Sequence, residues 1–114
     1  MKSPEIKCYW SNDIQDLEGW YPEDPQYVDI WFSVEIGIEG EEGADEFKVH
    51  LVTTSQLSNV DNKKYLLVVT YFESWADVML RLTNSISVCK DLGWGGISEQ
   101  LEKLYLWEYH NYKP

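Results

Sequence analysis

Residues 27–38 read Tyr27-Val28-Asp29-Ile30-Trp31-Phe32-Ser33-Val34-Glu35-Ile36-Gly37-Ile38. Val28, Ile30, Phe32, Val34, Ile36 and Ile38 alternate with Asp29, Trp31, Ser33, Glu35 and Gly37. A period of two puts the first set on one face of a strand and the second on the other. The first face is core. The second meets solvent or a partner. Gly40-Glu41-Glu42-Gly43-Ala44-Asp45 then reads as a turn, and Phe47, Val49 and Leu51 alternate with Lys48 and His50 up to Thr53. So short a connection makes the two strands an antiparallel hairpin.

The rest of the chain is arranged around that hairpin. Ile6–Trp10 is a candidate strand, and residues 11–27 are irregular, broken by Gly19, Pro22 and Pro25. Thr54–Val60 reads as a helical turn. Lys64–Tyr71 contains a nearly continuous apolar run, which predicts a strand covered on both faces and central in the sheet. Ser74-Trp75-Ala76-Asp77 has the form of a capping box with Asp in place of Glu. Trp75, Val78, Met79, Leu82, Ile86 and Cys89 follow at helical spacing. Gly93-Trp94-Gly95-Gly96 reads as a loop between helices. Ser98 caps a final helix, with Leu101, Leu104 and Tyr105 on one side. Strands first and helices last predict an α+β fold: an antiparallel sheet of about four strands with two C-terminal helices on one face. With no linker, repeat or low-complexity tract, residues 1–114 read as a single domain.

The charge is uneven. Twenty acids face nine bases, a net −11, and residues 1–50 alone hold thirteen acids against three bases. Such a field repels nucleic acid and anionic membranes, and it favours a basic partner and fast association. No apolar run approaches the ~18 residues of a membrane span, and Met1-Lys2-Ser3-Pro4-Glu5 is no signal region, so the expected location is the cytoplasm. Cys8 and Cys89 form no disulfide framework and read as buried thiols.

Chemistry finds little support in the sequence. His50, on the strand face away from the core, reads as a surface histidine, and His110 sits in an aromatic tail. No GxSxG, HExxH, P-loop or GxGxxG pattern occurs. A carboxylate pair such as Glu35 and Glu108 could serve a hydrolase, but twenty acids supply such pairs by chance. The segment Glu39–Glu46 lacks the Asp spacing of a calcium loop, and clustered zinc ligands are missing. Neither metal nor cofactor is expected.

Binding remains. Six Trp and eight Tyr against three Phe favour residues with an apolar body and a polar handle, the type enriched at interfaces. Trp31, flanked by acids on the outward face of the long strand, needs a cover: a helix, the 11–27 loop or a partner. Trp20 and Tyr21 beside Glu23 and Asp24 read either as a pinned loop or as an interface anchor with an acidic rim. Glu41, Glu42 and Asp45 form an acidic turn that would meet Lys and Arg on a partner. These eight residues are the candidate contacts. Self-association through Trp31, giving an adaptor protein, is the competing binding reading; the expected state is a monomer or weak homodimer.

Three motifs then point to a family. Tyr9-Trp10-Ser11-x-Asp13, Gly43-Ala44-Asp45-Glu46-Phe47 leading to Thr53-Thr54, and Leu106-Trp107-Glu108-Tyr109-x-x-Tyr112 resemble, in that order, the motifs of the bacterial immunity protein 8 family. The resemblance spans nearly the whole chain. It departs at Thr54, where the family pattern has Pro, and at His110, where it has an acid. The resemblance implies a small cytoplasmic protein of a polymorphic toxin system that binds and neutralises a cognate toxin domain without catalysis or cofactor. Net charge suggests that this toxin is basic, as a nuclease would be. The motifs also have a structural reading, in which Phe47 points inward and Trp107 locks the last helix onto the sheet.

Overall fold

A computed structural model describes residues 1–110. Tyr112, the last residue of the closing motif, lies outside the described residues. The strands are β1 (Pro4–Trp10), β2 (Asp29–Ile38), β3 (Asp45–Thr53), β4 (Leu66–Val69) and β5 (Leu106–Trp107). The helices are α1 (Trp75–Ile86) and α2 (Trp94–Glu102), with a 3₁₀ segment at Thr54–Asn59. The fold is α+β, with a mostly antiparallel open sheet in the order β1-β2-β3-β4.

The hairpin is the spine. β2 and β3 pair antiparallel from Asp29↔Val52 to Ile36↔Asp45, so the two alternating patterns are in phase. Phe32, Val34 and Ile36 of β2 and Phe47, Val49 and Leu51 of β3 are buried together. The turn between them uses Gly40 at φ +80° and Gly43 at φ +94°, which glycine adopts without Cβ strain. β1 flanks β2, and its register shifts at a bulge around Lys7, between Ile6 and Cys8.

Both helices lie on the core face. Ser74 caps α1, its hydroxyl accepting from the Asp77 amide at 3.0 Å, and Asp77 pairs with Arg81 one turn on. Trp75, Val78, Leu82 and Ile86 are the buried stripe, and the Trp75 ring meets Phe32 edge-on. α2 adds Ile97 and Leu101 to the same core. Tyr105 is buried behind it, its hydroxyl 2.7 Å from the Ser85 hydroxyl.

Four local expectations are corrected. The apolar strand near residue 66 is not central. Only Leu66–Val69 is extended, it pairs with β3 in parallel, and it forms the sheet edge opposite β1. Val68 is exposed there, so the run of apolar residues marked only one well-covered face. Gly95 and Gly96 are not loop but the first turn of α2, with Gly93 at the N-cap. A Cβ on Gly96 would fall 2.1 Å from an Asp91 carboxylate oxygen, so close packing explains that glycine. Ser98 lies inside α2 and donates back to the Gly95 carbonyl rather than capping. Cys8 is exposed on the edge strand, whereas Cys89 is buried as expected.

Candidate partner-binding surface

With α1 and α2 on one side, the other face of the sheet carries a different set of side chains. Register places them in rows. Trp10, Ser33, Lys48 and Leu106 share one row, and Trp31, His50 and Leu66 share the next. Cys8, Glu35 and Glu46 lie at one end, and Asp29, Val52 and Val68 at the other. The two middle rows thus mix Trp10, Trp31, Leu66 and Leu106 with Ser33, Lys48 and His50, and carboxylates stand in both end rows beside Cys8, Val52 and Val68.

Trp31 stacks on His50, with ring centroids 4.4 Å apart and planes 14° from parallel. His50 Nε2 donates to Asp29 Oδ1 at 2.5 Å, since an ionised carboxylate can only accept. The opposite nitrogen, Nδ1, is buried without a partner. The residue does point away from the core, but it is no surface histidine: it is buried beneath the Trp31 ring. Trp31 itself stays 37% exposed. Neither helix covers it, and the 11–27 loop only edges it, with the Ser11 hydroxyl 3.4 Å from the Trp31 carbonyl.

The 11–27 loop packs toward the core side. The Tyr9 hydroxyl donates to Glu18 at 2.6 Å, a bond that raises the Tyr9 pKa above its ordinary value. Trp20 and Tyr21 both meet the Phe72 ring edge-on. Trp20 is half-buried by that contact and Tyr21 is exposed. Glu23 and Asp24 are exposed, Asp24 accepting from the Gln26 amide at 3.0 Å. These four residues precede β2. Glu41 and Glu42 follow it, both exposed, with Glu41 paired to Lys2 at 2.7 Å. A ten-residue strand is about 33 Å long, so the two acidic groups stand at opposite ends of the sheet and Trp31 lies between them.

Asp45 sits differently from its neighbours in the turn. One carboxylate oxygen accepts from the Trp94 indole at 2.8 Å and from the Trp107 indole at 3.1 Å. Phe47, two residues on, stacks on Trp107 with planes 13° apart and takes Trp94 edge-on. The Glu108 carboxylate accepts the Glu46 amide, and the Glu108 amide donates to the Glu46 carbonyl at 2.9 Å. The Gly-Ala-Asp-Glu-Phe and Trp-Glu motifs are therefore two halves of one clamp that holds α2 and β5 to β3. Trp94 is the partner that the sequence did not reveal, because its glycine-rich setting suggested a loop. Glu108, one member of the candidate hydrolase pair, has its carboxylate in that clamp.

Among the described residues no group of three or more His, Cys, Asp or Glu side chains is placed to hold a metal ion, and no helix is long and apolar enough to cross a membrane. The architecture is that of an α+β protein with an open sheet face and an internally clamped C-terminal segment. The family model described as Immunity protein 8 matches residues 4–112, and the chain belongs to that family, whose members are immunity proteins of toxin systems. No curated protein and no solved structure shows a significant match.

Proposed function

We propose that this protein neutralises a cognate toxin domain in the cytoplasm by binding it one to one, with no chemistry of its own. Family membership supports the immunity role. The observation that carries the mode of action is the charge: residues 1–50 hold thirteen acids against three bases. Such a field attracts a basic surface and repels polyanions. A toxin that itself binds a polyanion, as a nuclease does, presents such a surface. Masking that surface would stop it from engaging its substrate.

Each candidate contact has a part in this reading. Trp31 is the exposed aromatic anchor. Glu23, Asp24, Glu41 and Glu42 set the field at the two ends of the sheet. Trp20 and Tyr21 hold the first acidic pair against Phe72, and Asp45 holds the second turn through its two indoles.

Rescue tests the reading. The C-terminal domain encoded immediately upstream is expressed under tight control, with and without this protein, and survivors are counted. Rescue by the protein together with a stable one-to-one complex is the expected result. A toxic neighbour that is neither rescued nor bound would overturn it.

A further inference from the structure

Resting on that immunity reading, we infer that the toxin docks on the helix-free face of the sheet, around Trp31, and presents an arginine- or lysine-bearing surface to it. The face can supply much of an interface. Strands β1 to β4, of 7, 10, 9 and 4 residues, at about 3.3 Å per residue and about 4.8 Å spacing give a platform on the order of 500 Å², and the adjoining 11–27 loop extends it toward a standard interface of about 800 Å² per partner. Its composition mixes aromatic and aliphatic side chains with polar ones, and the two indoles Trp10 and Trp31 are diagonal neighbours on β1 and β2. Trp31 is 37% exposed with Trp10 half-buried diagonally beside it, and Val68, 42% exposed, stands at the β4 edge of the same face.

Charge selects the occupant. Asp13 borders Trp31 from the adjoining loop, and Asp29, Glu35 and Glu46 stand in the end rows with Lys48 between them, whereas Lys63, Lys64 and Lys103 gather beside Leu66 at the β4 edge, two strands from Trp31. A basic side chain laid over Trp31 gains the ring's cation–π attraction and a carboxylate within reach. The Trp31 ring is already fixed by its stack on His50, and His50 is fixed by Asp29. Little side-chain freedom is then lost on binding, which is what makes an aromatic an effective anchor. The opposite side of the molecule also exposes apolar residues, Leu80, Val88 and Leu92. They are scattered along α1 and the loop after it, among both signs of charge at Asp77, Arg81, Lys90 and Asp91, and no aromatic stands among them.

The test uses the full chain and the C-terminal domain encoded immediately upstream, titrated against wild-type protein and three variants. Trp31→Ala removes the anchor and is expected to raise Kd by about 30-fold or more, the scale of a buried aromatic hot spot. Val68→Arg adds bulk and positive charge at an exposed position on the same face. It should weaken binding at least about tenfold while leaving the melting temperature near wild type, which guards against a Trp31 variant that fails to fold. Leu80→Arg, on the helix side, should bind as wild type does. Binding by wild type that survives Trp31→Ala and Val68→Arg but is lost in Leu80→Arg would overturn the surface while leaving the immunity reading intact. Failure of wild type to bind would overturn both. A wild-type dimer in sedimentation that Val68→Arg dissociates would assign the face to a second copy and overturn the proposal as well.

Discussion

The Trp107 indole donates to the Asp45 carboxylate across 3.1 Å, and so a residue near the end of the chain is bonded to the first residue of β3. The Trp94 indole shares the same oxygen at 2.8 Å. Removing the carboxylate orphans two half-buried donors at once. A hydrogen bond to a charged acceptor contributes about 1.5–3 kcal/mol, and partial exposure here argues for the low end of that range. Asp45→Ala should therefore destabilise the fold by about 2–3 kcal/mol, and Asp45→Asn, which keeps an acceptor oxygen, by about 1 kcal/mol. Urea unfolding midpoints check the order. Equal loss in both variants would mean that the charge, not the acceptor, matters.

Glycine positions in the hairpin separate two kinds of backbone demand. A Cβ on Gly37 would fall 2.1 Å from the Gly43 carbonyl oxygen, which belongs to the backbone and cannot swing aside. At Gly43 the surroundings are open, but φ is +94°. Gly37→Ala should cost about 2–3 kcal/mol through overpacking. Gly43→Ala should cost only about 1 kcal/mol, through strain in the left-handed region. Thermal melting of the two single variants tests the ranking, and a larger loss at Gly43 would contradict it.

The hairpin and α1 were legible because their signals are local. Strict alternation from Val28 to Ile38 and the Ser74 cap each specify an element without reference to the rest of the chain. What was not legible depends on distant neighbours. The apolar run before Tyr71 cannot announce that Leu66–Val69 pairs in parallel at an edge, because pairing direction is set by where the crossover from β3 delivers the strand. Trp94 looked like part of a loop because glycines on both sides weaken helix propensity, yet its bond to Asp45 and the packing of Ile97 and Leu101 hold α2 in place. His50 looked exposed because alternation gives a face and says nothing about a stacked neighbour on the next strand. Of the candidate contacts, the exposure of Trp31, Tyr21 and the four carboxylates agrees with a surface reading, and the two-indole role of Asp45 was the part no local pattern carries.

Alkaline pH should weaken the fold. Burial pushes the Tyr105 phenol above its ordinary 10.0, with the Ser85 bond opposing in part, and burial likewise pushes the Cys89 thiol above 9.0. Both groups hold their proton more tightly when folded than when unfolded. Unfolding then releases protons above these ordinary values, so stability is full below about pH 9 and falls as pH rises further. Tyr105→Phe should cost about 1 kcal/mol at pH 8, from the lost bond to Ser85, and should flatten the decline between pH 9 and 11. Urea midpoints at the two ends of that range give the answer. An unchanged slope in the variant would remove Tyr105 from the account.

Salt should act on the rate of capture rather than on the lifetime of the complex. The exposed acids at Glu23, Asp24, Glu41 and Glu42 flank the sheet at both ends of β2, too far apart to serve one anchor but well placed to shape a common field. At about 0.15 M salt that field extends about 8 Å, and at 1 M about 3 Å. Long-range attraction acts before contact, so screening removes it from the association step, whereas an aromatic anchor such as Trp31 governs dissociation. Raising salt from about 0.05 to 0.5 M should slow association with the toxin domain by about tenfold or more and change dissociation by less than about threefold. Replacing the four carboxylates by amides should slow association at low salt and flatten its salt dependence, while Trp31→Ala should leave that dependence in place and speed dissociation. If both rates follow salt equally, or neither does, steering by the acidic ends is wrong, and the charge of the first fifty residues then serves solubility alone.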